Sequence, residues 1–598
     1  MHTVRLASVV VVLAALASVP AEAQVIVNET RVTTGDPLQM GLPGRQFKTG
    51  TGRIRGRVLS SDTGTPVRRA QVRLSGPEVG AKTAMTDANG LYEFRELPAG
   101  RFNINATKSG FVTVQYGQTR PFESGKAIEL GEAQALDKAD IQMPRGSVIS
   151  GRIVDEFGDA VPDATVTALR STWSNGRRRL QPTGRTAQTN DLGQYRLFGL
   201  PPGEYYISAS LVGASMMAVE MALSASGGGT GSTPTSGYAP TYYPGTTSGG
   251  EAQRVGINIG QEAQSTDFAL IPVRLARISG TVMSSEGKPM EGTMVNAVAR
   301  NADVAGPMFG LGNSARTDRN GRFTINGVPP GDYTLQTRGM QVVTASEGRT
   351  MVFTMMGDGA GSDGSEVGSV PLSVSGEDIT NVVVVTSKGG TATGAVIFEG
   401  GTKPENAAPM RVMASAYDAE GPAMMAGGSA PVKADGTFEL KGLAGGRIIR
   451  IGNVPTGWTL KAVRLNGQDI TDTGAEFKPG DAVTGLDVVL TPRPTQLSGT
   501  VTGAGGAQVK DYTVVVFSDD QQRWTLPQTR WVAGVRPDQD GRFQVRNLPP
   551  GSYYAVAVDY IEQGAWGDPD MLIRFRDVAT TFSLREGEAK TLDLKITQ

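Results

Sequence analysis

The chain has 598 residues with no cysteine and a single histidine, His2, and its 57 Lys and Arg nearly balance 58 Asp and Glu. This composition excludes disulfides and thiol nucleophiles, and the net charge of −1 lacks the basic excess typical of nucleic-acid binders. With 79 Gly, 34 Pro and 39% hydrophobic residues, the chain is typical of a protein of many short strands joined by turns.

The N-terminus has the pattern of a secretory signal peptide. Arg5 precedes the apolar run 6–16, and the small residues Ala21 and Ala23 predict cleavage between Ala23 and Gln24. The remaining 575 residues contain neither His nor Cys, so we expect no His-based triad and no Cys/His zinc site. No later run reaches the ~18 apolar residues of a membrane span. We therefore predict an exported protein, located in the periplasm, on the cell surface or in the medium.

Five segments open with one strand pattern, in which apolar residues flank a central glycine. They are Ile54 to Val58, Ile149 to Ile153, Ile278 to Val282, Ala392 to Val396 and Leu497 to Val501. The alternation predicts a strand with one buried face, and the glycine indicates that another backbone passes close by.

A second block follows each opening strand and contains two glycines ten residues apart. The first glycine closes a polar turn, where glycine adopts a positive φ without steric cost. The second glycine follows a reversal of the chain that contains proline in most of the repeats. We predict that these ten are structural turn residues: Gly90, Gly193, Gly321, Gly436 and Gly541 in the first position, and Gly100, Gly203, Gly331, Gly446 and Gly551 in the second.

Five such repeats within the 575 residues after the predicted leader predict an all-β chain of five antiparallel β-sandwich domains. After the signal peptide 1–23 and an N-terminal segment 24–51, the predicted sandwiches are 52–145, 146–274, 275–388, 389–493 and 494–598. The fourth is divergent, because Lys433 replaces the turn Asp and Ala444 and Gly445 replace Pro-Pro. The Gly/Ser-rich stretch 227–250 is expected to be a flexible joint.

The motifs I-x-G-x-V, G-x-P, T-D-x-x-G-x-F and L-P-P-G-x-Y together resemble the carboxypeptidase regulatory-like domain. The resemblance implies a tandem array of transthyretin-like (prealbumin-like) sandwiches. The family is named for a module beside a zinc carboxypeptidase domain, and this chain has neither that domain nor its zinc ligands. We therefore expect a binding or scaffold protein with no catalytic residue, no metal and no cofactor.

Several short motifs match catalytic or metal-binding signatures but are also explained as ordinary turns. Asp62 and Asp472 each begin an Asp-Thr-Gly sequence of the kind found in aspartic proteases, and Ser285 with Lys288 spells S-x-x-K. Asp62 and the Ser285–Lys288 pair fall on expected turns, so we interpret them as turn residues. The Asp-x-Asn-Gly turns likewise lack the first and twelfth ligands of a calcium loop.

The aromatic residues of the last two sandwiches are the candidate ligand-binding residues. Exposed aromatic faces stack on sugar rings, whereas the alternative is that these rings cap the sandwich ends. The candidates are Trp458, Trp524, Trp531 and Trp566, together with Tyr242 and Tyr243. They predict a glycan or another envelope component as partner. A spacer without a ligand and a carboxylate-dependent hydrolase are the alternatives.

Overall fold

The computed structural model of the chain describes residues 48–597 except 78, 175–176, 212–235, 301–312, 339–365, 402–403, 405–408 and 417–427. The predicted signal peptide, its cleavage site at Ala23 and Gln24, and the segment 227–235 lie outside these residues. In the described part of the chain, no helix has the length and apolar character needed to cross a bilayer.

The chain is an all-β array of sandwiches, and we call the five repeats modules 1 to 5, with the bounds given above. The strands of module 1 are β1 Gly52–Ser60, β2 Gln71–Gly76, β3 Val79–Met85, β4 Leu91–Leu97, β5 Gly100–Thr107, β6 Val114–Gln115, β7 Ile128–Leu130, β8 Ala135–Leu136 and β9 Ile141–Met143. Those of module 2 are β10 Ser147–Val154, β11 Thr165–Ser174, β12 Arg177–Gln188, β13 Gln194–Leu200, β14 Gly203–Ser210, β15 Ser236–Tyr238, β16 Thr241–Tyr242, β17 Val255–Ile257, β18 Glu262–Ala263, β19 Phe268–Ala269 and β20 Pro272–Arg274.

The remaining modules follow the same order with local additions. Module 3 contains β21 Ala276–Met283, β22 Met294–Ala299, β23 Ser314–Arg316, β24 Arg322–Val328, β25 Gly331–Arg338, β26 Glu366–Val374, β27 Ile379–Val385 and β28 Ser387–Lys388. Module 4 contains β29 Gly390–Phe398, β30 Arg411–Ala416, β31 Gly428–Pro431, β32 Thr437–Leu443, β33 Gly445–Gly452, β34 Thr459–Leu465, β35 Gln468–Asp469, β36 Ala475–Phe477 and β37 Ala482–Thr491. Module 5 contains β38 Gln496–Thr502, β39 Gln508–Val509, β40 Thr513–Ser518, β41 Val532–Val535, β42 Arg542–Arg546, β43 Gly551–Val558, the helix α1 Pro569–Arg576, β44 Thr580–Leu584, β45 Ala589–Thr591 and β46 Leu594–Thr597.

Each module has the same pairing around its opening strand. In module 1, β1 runs antiparallel to β4 and parallel to β8 and β9, while β3, β2, β5 and β6 form the second sheet. In module 5 the two sheets join into one nine-stranded sheet, because β46 pairs with both β38 and β43. The sandwiches are thus mainly antiparallel, with a parallel closing strand.

The central glycine of each opening strand lies against the backbone of the closing strand or of the residues just before it. A Cβ on Gly56 would overlap the carbonyl oxygen of Ala139, and one on Gly151 would overlap that of Thr266. The same overlap would occur at the other three central glycines: Gly280 with Val382, Gly394 with Leu486, and Gly499 with Leu592. Glycine is required here because the two backbones are too close for any side chain.

Each module has its own hydrophobic core between its two sheets. In module 1 the core includes Ile54 and Val58 of β1 and Phe94 of β4, which are the inward residues of the predicted alternation. Five independent cores explain how the fold persists without disulfides.

Modules 3 and 4 differ in what covers the closing strand. In module 4, β34 pairs with β37 and places Ala462 opposite Val489, which is 8% exposed. In module 3, β27 is the edge of its sheet within the described residues, and Val385, at the position equivalent to Val489, is 61% exposed. Module 3 therefore leaves exposed an apolar position that module 4 buries.

Module 5 carries an additional small core on the outer side of its second sheet. All six residues of β40 are buried, because the segment that contains α1 covers the face turned away from the main core. This second core contains Phe517 of β40, Val556 of β43, Trp524 and Leu572 of α1. The predicted repeat did not include this layer.

Candidate functional site

All six aromatic residues predicted to bind a ligand are buried or half-buried in the structure. Trp524, Trp531 and Tyr242 are 3%, 7% and 7% exposed, and Trp458, Trp566 and Tyr243 are half-buried. Most of each ring surface is therefore unavailable to a sugar.

Each of these rings has a packing partner inside its own module. Trp531 stacks on Tyr553 at 5.9 Å between centroids, and Trp524 contacts Phe517 edge to face at 5.4 Å. Trp458 packs on Phe398, Tyr243 on Phe268, Trp566 on the second core of module 5, and Tyr242 on the cluster with Leu169 and Leu180. The four tryptophans do not form one exposed face.

Tyr242 and Tyr243 lie within module 2. Tyr242 belongs to β16, which pairs with β14 opposite Ser208, and the backbone N–H of Tyr243 donates to Ile207 O at 2.9 Å. The described part of the Gly/Ser-rich stretch, residues 236–250, is thus packed on module 2.

Eight of the ten predicted turn glycines have a positive φ, in two separate ranges. Gly90, Gly193, Gly321, Gly436 and Gly541 have φ between 71° and 85°, which is the left-handed region that favours glycine. Gly100, Gly203 and Gly331 have φ of 154° to 157°. Gly446 and Gly551 are not among the residues of positive φ, and in module 4 the neighbouring Gly445 has φ 73°.

The two Asp-Thr-Gly carboxylates are held by other groups. Asp472 accepts two hydrogen bonds from Arg530, at 2.8 and 2.9 Å, and one from Trp531 Nε1 at 3.0 Å. Burial opposes ionisation of Asp472, but the bonds from Arg530 outweigh it and lower the pKa. An ionised carboxylate fixed in this way joins module 4 to module 5. Asp62 accepts from its neighbour Ser61 and lies near Arg145.

The arrangement that sequence reasoning missed is the contact between module 5 and module 1. The buried Arg536 of module 5 forms an ion pair with the buried Glu123 of module 1 and contacts Asp511. Lys126 lies 3.1 Å from Asp511, and Arg120 lies 2.7 Å from Asp559. The pairs of Arg536 with Glu123, Lys126 with Asp511 and Arg120 with Asp559 each join residues about 400 positions apart in sequence.

Neutral hydrogen bonds accompany these ion pairs. Gln539 of module 5 exchanges two bonds with the backbone of Glu129, at 3.0 and 2.9 Å. The N–H of Gln563 donates to Phe122 O at 2.8 Å, and the Tyr560 hydroxyl donates to Pro121 O at 2.8 Å. The contact is therefore built from backbone groups as well as from charges.

Module 2 joins the same junction through its long hairpin, β11 and β12. Arg170 lies over the ring of Phe122 of module 1, at 3.2 Å from its centroid, and pairs with Glu562 of module 5 at 2.8 Å. Arg178, from the basic cluster 177–179, pairs with Asp568 at the start of α1. Arg170 thus connects three modules.

A polar cleft of about 560 Å³ lies at this junction. Its floor is the outer face of the second sheet of module 1, with Gln71, Arg73, Asn105, Thr107, Thr113 and Gln115. Its walls include Gln118, Phe122 and Glu123 of module 1, Thr183, Arg185 and Pro201 of module 2, and Gln563 of module 5. Amide and guanidinium groups dominate the cleft.

The alternation of apolar and polar residues in β2 and β5 indicates which residues form the floor of the cleft. Val72 and Leu74 face the core, so Gln71 and Arg73 face outward, and Ile104 places Asn105 outward in the same way. The walls had no sequence signal, because they depend on how modules 2 and 5 pack on module 1.

The chain is thus an all-β tandem sandwich protein in which distant modules are in contact. The sequence model of the carboxypeptidase regulatory-like domain matches residues 53–144, 148–230 and 277–353. The chain is a repeat protein that contains carboxypeptidase regulatory-like domains in modules 1, 2 and 3. No curated protein matches the chain.

Three solved structures are among those with detectable similarity to the chain. The TIE protein of Bacillus anthracis is 10% identical, with 75% of this chain and 74% of that chain covered and a TM-score of 0.15. The minor pilin GBS52 of Streptococcus agalactiae is 13% identical, with 37% and 95% covered and a TM-score of 0.20. A provisionally named carbohydrate-binding protein of Pseudomonas aeruginosa is 17% identical, with 19% and 89% covered and a TM-score of 0.13. These scores are too low to assign a common arrangement of modules.

Proposed function

We propose that the protein is a non-catalytic, exported scaffold that binds a carbohydrate or another polymer of the cell envelope. The observation that carries this proposal is the contact of module 5 with modules 1 and 2, centred on Arg536 and Glu123. A chain that served only as a spacer would need no ion pairs between its ends. Here these pairs accompany a polar cleft to which three modules contribute.

A further observation supports a non-catalytic role. Asp472, the carboxylate of one protease-like motif, is held ionised by Arg530. The signal-peptide pattern that ends at Ala23 supports export.

Co-sedimentation of the full mature chain with insoluble polymers tests the binding function. The panel is cellulose, chitin, peptidoglycan sacculi and crosslinked pectate, with serum albumin as the non-binding control. We expect retention on at least one polymer, without release of new reducing ends on long incubation. Retention on none would favour the spacer, and a steady rise in reducing ends would favour the hydrolase.

Export is tested separately by expressing the chain with its leader and determining the mature N-terminus by mass spectrometry. We expect the mature chain to begin at Gln24 and the variant Ala23→Arg to remain uncleaved, because a large charged residue does not fit the cleavage site. Retention of both proteins, uncleaved, in the cytoplasm would contradict export.

A further inference from the structure

The closing strand of module 3, β27, has a free edge. In the described part of the chain, its neighbour in the sheet is β21 on one side only. The backbone N–H of Thr386, the residue after β27, donates to Met283 O of β21 at 2.8 Å. Because successive residues of a strand direct their N–H and C=O groups to alternate sides, Val383 and Val385 direct theirs away from β21. These two residues present backbone donors and acceptors that fit a further strand.

The exposed side chains at this edge are apolar. Val383 and Val385 are 55% and 61% exposed, whereas Val384 between them is buried in the core of module 3. Residues 379–386 include no charged residue and no proline, the residue types that commonly prevent an edge strand from pairing with another chain. The edge of β27 therefore lacks the usual protection against a partner strand.

Module 4 shows which partner such an edge accepts. Its closing strand β37 is covered by the antiparallel strand β34, and the position equivalent to Val383 is Asp487, which lies opposite Arg464. Module 3 thus has a valine on its uncovered edge where module 4 has a charged residue on a covered one. The closing strands of modules 1 and 2, β9 and β19, are only three and two residues long. In the described part of the chain, β27 is therefore the longest closing strand with a free edge.

We propose that β27 pairs antiparallel with β27 of a second copy of this chain. A register centred on Val384 places Val383 of each copy opposite Val385 of the other, so that two exposed apolar pairs form on one face of the joined sheets. The outward N–H and C=O groups of both residues then bond one another across the two strands. Because both copies use the same edge, the association is a closed two-fold dimer and does not extend to a fibre.

The charges at the two ends of β27 favour this partner. The exposed Glu377 and Asp378 precede the strand, and the exposed Lys388 follows it. An antiparallel pair brings the acidic beginning of each strand towards the basic end of the other, whereas a parallel pair would bring like charges together. The two-fold arrangement is therefore complementary in charge as well as in apolar surface. This self-association goes beyond the proposed binding function and does not depend on it.

The test is sedimentation equilibrium of the full mature chain over a range of concentrations, together with hydrogen exchange in the peptide 379–386. We expect a dimer that dissociates on dilution to a monomer in which Val385 is exposed, with faster exchange in this peptide. Val383→Lys should weaken dimerisation about 10-fold or more, because a charge replaces one member of each apolar pair. Mixing the Val383→Lys chain with a Val385→Glu chain should restore a heterodimer, since the two new charges lie opposite each other in the proposed register.

Phe198→Lys is the matched control, because Phe198 lies on β13 of module 2 and is 51% exposed. It should dimerise as the unmodified chain does, and circular dichroism verifies that each variant is folded. A chain that stays monomeric at every concentration would overturn the inference, and slow exchange in 379–386 of that monomer would show that another part of the same chain covers β27. A dimer of unchanged affinity in folded Val383→Lys would also overturn it. Retention on the polymer panel is a separate measurement, so the proposed binding function stands or fails independently.

Discussion

Arg536 in module 5 forms a buried ion pair with Glu123 in module 1, 413 positions earlier in the chain. Burial lowers the pKa of Arg536 to about 10, so the side chain stays charged at neutral pH and its partner carboxylate remains balanced. The pair therefore connects modules 1 and 5. Removal of either side chain would leave the charge of the other buried without a counter-ion.

We predict that Arg536→Met destabilises the contact by about 3–5 kcal/mol, because Glu123 is left buried and unpaired. Hydrogen exchange measured by mass spectrometry should increase in the peptides that cover residues 114–130 and 532–546. The exposed Arg546 provides the control Arg546→Met, which should change stability by less than about 0.5 kcal/mol. The double variant with Glu123→Leu should recover part of the loss. Unchanged exchange in Arg536→Met would contradict the importance of the pair.

The stability of the contact between modules 4 and 5 should decrease at acidic pH. The pKa of Asp472 is lowered, so its stabilisation is complete above the unfolded value of about 3.9 and is lost as the pH falls through the folded value. Urea denaturation at pH 3, 5 and 7 should show this loss at pH 3. Asp472→Asn should cost about 1.5–3 kcal/mol at pH 7 and flatten the acid dependence. The exposed Asp481→Asn is the control, and an unchanged acid dependence in Asp472→Asn would refute the assignment.

The central glycine of an opening strand should tolerate no side chain. We predict that Gly151→Ala costs about 1–3 kcal/mol or more, since the new Cβ would overlap the Thr266 carbonyl oxygen and the strands would have to separate. A Cβ on Gly256 in the same module would meet no atom within 4 Å, and Gly256 has no positive φ, so Gly256→Ala should be neutral within about 0.5 kcal/mol. Thermal denaturation compares the two, and equal effects would show that the close approach is not limiting.

Val385 and Val489 occupy equivalent positions and should respond differently to truncation. Val489 is only 8% exposed. Val489→Ala removes two methyl groups from this buried site and should therefore lower the free energy of unfolding by about 2 kcal/mol. Val385→Ala, at a site 61% exposed, should cost less than about 0.5 kcal/mol. Equal costs in urea denaturation would mean that Val385 is covered in solution.

The aromatic prediction illustrates a limit of sequence reasoning. Trp524 and Trp531 flank a segment that the repeat pattern does not require, but the pattern does not show which face of the sheet this segment covers. The run of β40, Thr-Val-Val-Val-Phe-Ser, was the missed signal, because a strand that is apolar on both faces is expected to be covered on both. In the structure that second cover contains Trp524 and α1.

The repeated motifs by themselves determined the sandwich, since alternation selects the buried face and the central glycine permits the strands to meet. They also determined the positions of the polar turns, because the backbone conformation of a turn depends on residues adjacent in sequence. The tertiary structure alone decided which modules touch and where the cleft lies. Contacts such as Arg536 with Glu123 join surface positions of separate modules, and a charge in one repeat carries no local pattern that identifies its partner some 400 residues away.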